Sequence, residues 1–451
     1  MLATTTAAPS WKQLLRYVIP AASAMVLFSL YTVIDGILVA HGVSESALTS
    51  VNISLPFINV LSGLSILLSM GASTLCAFAL GRGKKREAEE IFTQTVVVMV
   101  ILSAAITVGV LLFTEELALF LGAGPQTLEN AVTYLRIVSV FSVCFILSYC
   151  LEVMVKVDDS PVLATVGVAV AAVVHVGLAY VFIFHFHWGV AGSALATGLA
   201  QLCSLIVFLI YFVGGKSDLR FRKFRFRPKT LLRSLPLGVA DCSIEFMLGF
   251  LTVLYNNLLF LLFGESHQTI YAVIAYLSLL VFMVMQGIAQ GMMPLVSVAV
   301  GKGDRKAIRF YFLRSLVLVV GAEVLIVAAC LLLPQRFAAI LLSTDSPLFS
   351  QAVAALRQYA LSYLLAGINI LLAGFFTALG HGKASCLLSL SRGFVLLPAA
   401  ILVLSHLTGG QAIWIAALAG EGLSFVLGLV LLKRITASPA PLPAQEAEPA
   451  V

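Results

Sequence analysis

The sequence predicts an all-α membrane protein with twelve transmembrane helices, arranged as two parallel-repeat six-helix bundles. Composition, the number of long apolar segments and an internal duplication support this prediction. Of the 451 residues, 61% are hydrophobic and only 11% are charged, with a mean hydropathy of +1.06. A typical soluble domain carries about 25% charged residues. The composition therefore excludes a soluble enzyme, a nucleic-acid-binding protein and a disordered protein.

Twelve apolar segments are each long enough to cross a bilayer, which takes about 20 residues in a helix. The segments are 14–40, 51–80, 91–113, 134–156, 162–187, 190–213, 235–263, 268–300, 309–333, 356–380, 385–407 and 411–432. Residues 1–13 lack the basic region and small-residue cleavage site of a signal peptide. The first segment is therefore expected to remain as a helix.

The basic residues alternate between the two sides of the predicted membrane. Of the 27 Lys and Arg residues, 24 fall in alternate gaps, and only Arg136, Arg336 and Arg357 lie toward the other side. The positive-inside rule then places both termini in the cytoplasm. The membrane in which we expect the protein is the inner (plasma) membrane. The linker 214–234 is rich in Arg, Lys and Phe, a composition that also occurs in RNA-binding segments. Its place between two spans favours contact with lipid headgroups instead.

The two halves of the chain repeat each other. Gly71, followed by Gly81 and a basic run, recurs as Gly291 followed by Gly301, and Pro20 recurs as Pro236. These matches predict an N-lobe at 14–213, a C-lobe at 235–432 and a disordered cytoplasmic tail at 433–451. Six helices per copy make the repeats parallel, the type found in transporters that work by alternating access.

Ionisable residues inside the spans are functional candidates, because a charge at the helix centre costs about 2.5–3.5 kcal/mol. Asp35, deep in the first span, is the strongest candidate for ion coupling. Glu152 and Glu323 have no evident local partner and rank low. The remaining candidates could contact substrate, form a second proton site or line the central cleft: Asp241, Glu245, Asn256, Gln286 and Glu421.

Each of these candidates also has a structural interpretation. Asp241 could pair with Arg233 near the linker, and Glu421 could pair with Arg392 on the neighbouring span. Gln286 and Asn256 could join helices by hydrogen bonds. The seven cysteines lie in apolar segments without a CxxC spacing, so we expect no disulfide and no metal centre.

Several stretches resemble the MATE family, the multidrug and toxic compound extrusion transporters. They are 31–42 with 52–56, 81–86, 158–161, 180–184, 189–197 and the region of Arg392, Pro398, Trp414 and Glu421. The resemblance implies two lobes around a V-shaped central cleft, and cation-coupled export of amphipathic organic cations. Asp35 matches the family's acid on the first span, and Thr197 matches its hydroxyl contributor.

One departure from the family pattern bears on the coupling ion. His175 and Ala179 stand where the family has Asn and Asp, so a second carboxylate is missing. Imidazole titrates near neutral pH and is a poor ligand for a hard cation such as Na⁺. Asp35, His175 and Thr197 are therefore predicted to couple transport to H⁺, with Na⁺ as the alternative.

We thus expect a secondary antiporter that exports organic cations or drugs in exchange for H⁺. It would act as a monomer in contact with membrane lipid, without nucleic acid, metal or another cofactor. The alternatives are a flippase of a lipid-linked precursor on a related fold, an intramembrane enzyme and a channel. The scarcity of basic residues inside the spans disfavours the flippase, and no catalytic motif supports the enzyme.

Overall fold

The computed structural model describes residues 8–42, 45–125, 127–215, 217–264, 267–342 and 344–437, which form helices joined by turns and contain no strand. The helices of the first half are α1 (Trp11–Gly42), α2 (Glu45–Gly81), α3 (Lys85–Leu112), α4 (Thr114–Phe120), α5 (Leu128–Val140), α6 (Ser142–Val157), α7 (Pro161–Tyr180), a π-helical turn (Val181–His185) and α8 (Gly189–Val213). Those of the second half are α9 (Pro228–Phe263), α10 (Gln268–Lys302), α11 (Arg305–Leu332), α12 (Pro334–Leu341), α13 (Phe349–Ala360), α14 (Tyr363–Ala378), α15 (Gly382–Ser391), a π-helical turn (Arg392–Leu396), α16 (Leu397–Leu407) and α17 (Ala416–Ala437).

Each of the twelve predicted spans coincides with one helix or one bent helical segment. Within the described residues, nine helical segments are long and apolar enough to cross a membrane. Two further spans are bent pairs, α5–α6 with an angle of 49° and α13–α14 with an angle of 42°. The 32-residue helix α1 contains the first predicted span. The short helices α4 and α12 were not predicted, because hydropathy merged them with the loops that follow spans three and nine.

Several predicted boundaries lie five to seven residues from the observed helix ends, and the difference at the last span has an identifiable cause. The last span was placed at 411–432, whereas α17 covers Ala416–Ala437. Gly409 and Gly410 have φ values of 59° and 90°, which end the preceding helix in a left-handed turn. The turn continues through Ile415, and its apolar residues made the hydropathy run start too early.

The repeated Gly-basic motif forms two equivalent turns, between α2 and α3 and between α10 and α11. Gly83 and Gly303 have φ values of 75° and 73°, a conformation that favours glycine. In the second copy the Asp304 carboxylate accepts a hydrogen bond from the Ala307 N–H (3.0 Å) and so caps α11. The motif repeats in the sequence because both halves need the same tight helix–helix turn.

The chain divides into two compact units, and α1 and α9 each contribute to both. The N-unit runs from Ile19 to Gly238, and the C-unit combines the start of α1, through Val18, with the chain from Val239 onward. The predicted lobes placed 14–18 with the first bundle and 235–238 with the second. Hydropathy gives no information about which helices a segment contacts, so it could not show this exchange of helix starts.

The start of α1, through Val18, belongs to the C-unit, and the start of α9, through Gly238, belongs to the N-unit. Close backbone packing holds both of these exchanged helix starts. In the N-unit, a Cβ at Gly71 on α2 would overlap the backbone of Ser234 on α9. In the C-unit, a Cβ at Gly291 on α10 would lie 2.6 Å from the Val18 Cα on α1. These are the two glycines that the sequence repeat had paired, and glycine is needed at each because another backbone fills the space of a side chain.

The linker before α9 lies against the N-unit over residues 217–227. Leu219 is fully buried, and the buried Asp158 carboxylate accepts hydrogen bonds from the backbone N–H groups of Asp218 (3.1 Å) and Leu219 (3.2 Å). Gln94 on α3 makes two hydrogen bonds to the Arg227 backbone, each 3.0 Å.

Ion pairs add to this contact between the linker and α3. Arg222 pairs with Glu89 (3.4 Å), and Arg227 pairs with Glu90 (3.3 Å). Burial raises the pKa of Asp158, whereas the hydrogen bond from the Lys85 ammonium lowers the pKa of Asp218. The linker is therefore an ordered strap on the N-unit, and its exposed basic side chains remain available to lipid headgroups.

Candidate functional site

A buried polar pair joins α7 and α8 in the N-unit. His175 is 1% exposed, and its Nε2 lies 3.1 Å from the Thr197 hydroxyl. That hydroxyl also lies within hydrogen-bond distance of the Ser193 carbonyl (2.9 Å), so it links the imidazole to the preceding turn of α8. Ala179, one turn further along α7, is also buried and offers no ligand atom.

Asp35 lies on α1, but its side chain is outside the part of the chain that the structure describes. The helix itself is placed against α7, because the Thr165 hydroxyl on α7 donates to the Pro20 carbonyl on α1 (2.7 Å). The two helices that carry Asp35 and His175 are therefore neighbours. Contact between the two side chains remains a prediction.

An ion pair dominates the buried polar groups of the C-unit. The guanidinium of Arg392 donates to the carboxylate of Glu421 from Nη2 (2.7 Å) and from Nε (2.9 Å), and both residues are at most 3% exposed. Asn369 on α14 donates to the same carboxylate (2.7 Å). The predicted pairing of Glu421 with Arg392 is confirmed. Arg392 opens the π-helical turn of its span, a local irregularity that is frequent at functional sites.

Asp241 has an amide and not a basic side chain as its partner. Its Oδ1 accepts from Gln286 Nε2 on α10 (2.7 Å), and Oδ2 is buried without a hydrogen-bond partner. The alternative pairing with Arg233 is therefore not what satisfies this carboxylate, and Gln286 joins two helices. Glu245 and Asn256, further along α9, are both partly buried.

Two acids that we ranked low have definite partners, which corrects the sequence interpretation. Glu152 pairs with Lys156 (2.7 Å) one turn along α6, and both side chains are less than 10% exposed. The i, i+4 spacing is visible in the sequence, and Lys156 lies within the last turn of α6. Glu323 Oε1 accepts from the backbone N–H groups of Gly367 (2.7 Å) and Ile368 (3.2 Å). No sequence pattern marks such backbone partners.

Buried charge is unequally balanced in the C-unit. Among its described residues, Arg392 is the buried basic side chain, and Glu421 neutralises it. Asp241 and Glu323 are buried carboxylates without a basic partner in the described part of the chain. A buried carboxylate without an opposite charge is costly unless it takes up a proton or a cation. The C-unit therefore has the chemistry to hold positive charge.

Comparison with known proteins decides the family. The family model described as MatE matches residues 20–181 and 242–402, one stretch in each half. The chain belongs to the MatE family. This assignment confirms the family predicted from the sequence and makes the protein a multi-pass membrane transporter and not an enzyme. The two stretches matched by the MatE model begin 222 residues apart, in agreement with the internal repeat.

Curated relatives and solved structures agree with the MatE assignment over most of the chain. The multidrug export protein MepA of Staphylococcus aureus (strain NCTC 8325 / PS 47) is 22% identical over 428 residues, 94% of each chain. MepA of Staphylococcus saprophyticus is 25% identical over 384 residues, 83% of this chain and 84% of the relative.

Among structures, a MATE transporter in complex with MaL6 superposes with a TM-score of 0.90 at 20% identity and covers 97% of this chain and 98% of that chain. A multidrug resistance MATE family transporter in an outward-facing conformation gives a TM-score of 0.89 at 20% identity, with 97% of both chains covered. The all-α membrane fold is thereby confirmed.

Proposed function

We propose that this protein exports organic cations in exchange for protons, by alternating access in the plasma membrane. The observation that carries the proposal is the match to multidrug export proteins over 94% of both chains. The duplicated fold supports it, because parallel repeats are a common basis of alternating access.

The choice of H⁺ as coupling ion is supported by the polar pair on α7 and α8. A cation such as Na⁺ would need several oxygen ligands, in the manner of other hard cations. His175 and Thr197 supply one imidazole and one hydroxyl, and the hydroxyl is already engaged with the Ser193 carbonyl. Ala179 supplies no ligand. Asp35 would bind the proton, with His175 as the group that receives or passes it.

The choice of organic cations as substrates is supported by the acids of the second half. Glu245 and Asp241 share one face of α9 at i and i+4, so they can act together on a positive group. A flippase of an anionic lipid precursor would need basic side chains, whereas Arg392 is already neutralised by Glu421. The acids Glu245 and Asp241 therefore favour a cationic substrate.

The orientation with both termini in the cytoplasm is supported by the distribution of basic residues. The linker strap carries exposed Arg220, Lys223, Arg225 and Lys229, which suit the anionic cytoplasmic leaflet. Exported compounds would then leave from the side opposite the strap.

Transport by the purified protein in lipid vesicles tests the proposal, with ethidium as a fluorescent organic cation. A pH gradient and a Na⁺ gradient are imposed separately. We expect ethidium movement to follow the pH gradient, to be lost in Asp35→Asn and to persist in Glu116→Gln, a control at an exposed acid. Movement driven only by Na⁺ would overturn proton coupling. Transport of a lipid-linked anion without ethidium would favour the flippase.

A further inference from the structure

Glu323, like Asp241, is a buried carboxylate of which only one oxygen has a hydrogen-bond partner in the described structure, and its partners are backbone N–H groups of another helix. The residue is 1% exposed, at the middle of α11. Oε1 accepts the two backbone N–H groups of Gly367 and Ile368 on α14, whereas Oε2 is buried without a partner. A charged carboxylate in this setting would leave one oxygen unsolvated, which is energetically unfavourable.

The internal repeat allows the contact between α11 and the bent pair α13–α14 to be compared with the equivalent contact in the other half. By the repeat offset of 220, Ser103 on α3 is the residue equivalent to Glu323 on α11. In the N-unit, neutral hydroxyls join α3 to the bent pair α5–α6: Ser142 donates to the Ser103 carbonyl (3.2 Å), and Thr107 donates to the Ser139 carbonyl (2.6 Å). In the C-unit, Glu323 joins α11 to the bent pair α13–α14. The Ser103 hydroxyl itself donates to the Val100 carbonyl of its own helix (2.9 Å). The corresponding helices are thus joined by neutral groups in one half and by an ionisable side chain in the other.

We propose that Glu323 is a proton-binding site of the C-unit, distinct from Asp35. The proton forms an O–H bond at Oε2, and Oε1 continues to accept the N–H groups of Gly367 and Ile368. The hydrogen bonds between α11 and α14 are therefore kept in the protonated form, and the unpaired buried charge is removed. Release of the proton requires a conformation in which water reaches Oε2.

A metal cation fits this place poorly. The hydrogen-bond partners of the carboxylate in the described structure are backbone N–H donors, and the side chain of Met285 lies near it. Oε1 of Glu323 and the Met285 sulfur lie 2.5 and 2.8 Å from where a Cβ of Gly367 would be. A hard cation needs several oxygen ligands, whereas thioether sulfur is a soft ligand. A proton needs only the one free carboxylate oxygen.

The other charged groups around Glu323 are accounted for. Glu421 acts on it as a like charge, and that charge is itself paired with Arg392. The helices packed against α11 are α10, α12, α13 and α14. Their other ionisable residues are Tyr271, Tyr276, Lys302, Arg336, Arg357, Tyr359 and Tyr363. In the described structure none of these forms a hydrogen bond or an ion pair with the Glu323 carboxylate.

Infrared spectroscopy of the full-length protein in lipid vesicles tests the site without any transported compound. The measured signal is the carbonyl stretching band of a protonated carboxyl group. It is followed between about pH 5.5 and 8.5, where an exposed glutamate is already deprotonated. We expect the wild type to show the band and to lose it as the pH rises. Glu323→Gln should remove its contribution, because the amide oxygen keeps both N–H bonds but carries no carboxyl. Glu116→Gln, at an exposed acid, should leave the band unchanged.

An unchanged band in Glu323→Gln would overturn the proposal. If that variant does not fold, Gly367→Ala is the second test, because its Cβ would displace Oε1 of Glu323. The pH midpoint of the band should then shift, and an unshifted midpoint would also overturn the site.

A contribution of Glu323 to transport rests on the proposed proton coupling. In ethidium export, Glu323→Gln should flatten the pH dependence while Glu116→Gln should not. Failure of the wild type to move ethidium would refute the proposed function and leave the spectroscopic result standing.

Discussion

Arg392 and Glu421 illustrate how a buried charge is tolerated inside an apolar protein. The carboxylate receives two guanidinium N–H groups and the Asn369 amide, so its oxygens are well satisfied. The guanidinium also lies 5.8 Å from the Phe282 ring centroid. Such a pair adds little net stability over an apolar replacement, but the loss of one partner leaves the other charge exposed to a low dielectric.

The Arg392–Glu421 pair therefore predicts that the losses of unfolding free energy caused by substituting its two members are not additive. Glu421→Gln alone should lower the free energy of unfolding by about 3–5 kcal/mol, because Arg392 keeps an uncompensated charge. Arg392→Met combined with Glu421→Gln should cost less than the single change. Thermal unfolding of the detergent-solubilised variants measures this. Equal or additive losses would contradict a tight ion pair.

The Thr197 hydroxyl predicts a matched pair of substitutions in the N-unit. Thr197→Val removes the hydroxyl beside the buried His175 and should cost about 1–3 kcal/mol, whereas Thr197→Ser keeps the hydrogen bonds and should cost much less. The melting temperatures of the two variants make the comparison. Similar losses in both would mean that packing of the methyl group, and not the hydroxyl, matters at Thr197.

Among the elements, the linker strap differs most from its sequence interpretation. Its run of Arg, Lys and Phe indicated a segment facing lipid headgroups. Nothing in the run showed that some of these residues dock on α3. Leu219 is buried, the Phe221 ring packs at a tilt against Phe92 (4.9 Å between centroids), and Arg222 pairs with Glu89. The docking depends on Glu89, Gln94 and Asp158, which lie 60 residues or more away in the chain.

The strap should therefore resist proteolysis despite its many Lys and Arg residues. Gln94→Leu removes both hydrogen bonds to the Arg227 backbone, a loss of about 1–2 kcal/mol. Trypsin cleavage between α8 and α9 should then be about 5–30-fold faster, because cleavage follows the population of the undocked strap. Thr95→Val is the control, since Thr95 bonds only to the Ile91 carbonyl of its own helix. Equal cleavage rates in the two variants would show that the strap is not held by Gln94.

Hydropathy predicted the spans well because the length and apolarity of a membrane-crossing helix are properties of the local sequence. The bends at Phe141 and Ser362, the π-helical turn at Arg392 and the start of α17 are set by tertiary contacts and turns, and were missed. The pairing of Arg392 with Glu421 could be predicted because both charges stand out in apolar spans. The partners of Glu323 are backbone groups, which every residue carries, so its site could not be found from the sequence.

At the scale of the whole molecule, the two halves repeat each other in packing as well as in sequence. Gly71 receives the start of α9 in the N-unit, and Gly291 receives the start of α1 in the C-unit. The chemistry of the halves is different. The described N-unit has a His–Thr pair between α7 and α8, and its buried Glu152 is paired with Lys156. In the described C-unit, Asp241 and Glu323 are buried without a basic partner. The shared scaffold thus carries two different sets of ionisable groups.

This packing predicts opposite effects for two glycine substitutions in the C-unit. Gly291→Ala should destabilise the protein by more than about 1 kcal/mol, because its Cβ would meet the backbone of Val18. Gly321→Ala on α11 has open space around its Cβ and should be neutral or stabilising by up to about 1 kcal/mol, as alanine favours a helix. Unfolding of both variants in the same detergent gives the comparison. A tolerated Gly291→Ala would contradict the close packing of α1 on α10.

The exchanged helix starts also impose an order on biosynthesis. The start of α1 is made before its packing site at Gly291 on α10, which is synthesised more than 270 residues after Val18. At about 5–20 residues per second, the ribosome needs about 14–55 s to supply that partner. Throughout that interval the first helix is inserted with its beginning unpacked. The start of α1 therefore reaches its final contacts only once much of the second half has entered the membrane. Late assembly is thus an obligatory step in the maturation of the protein.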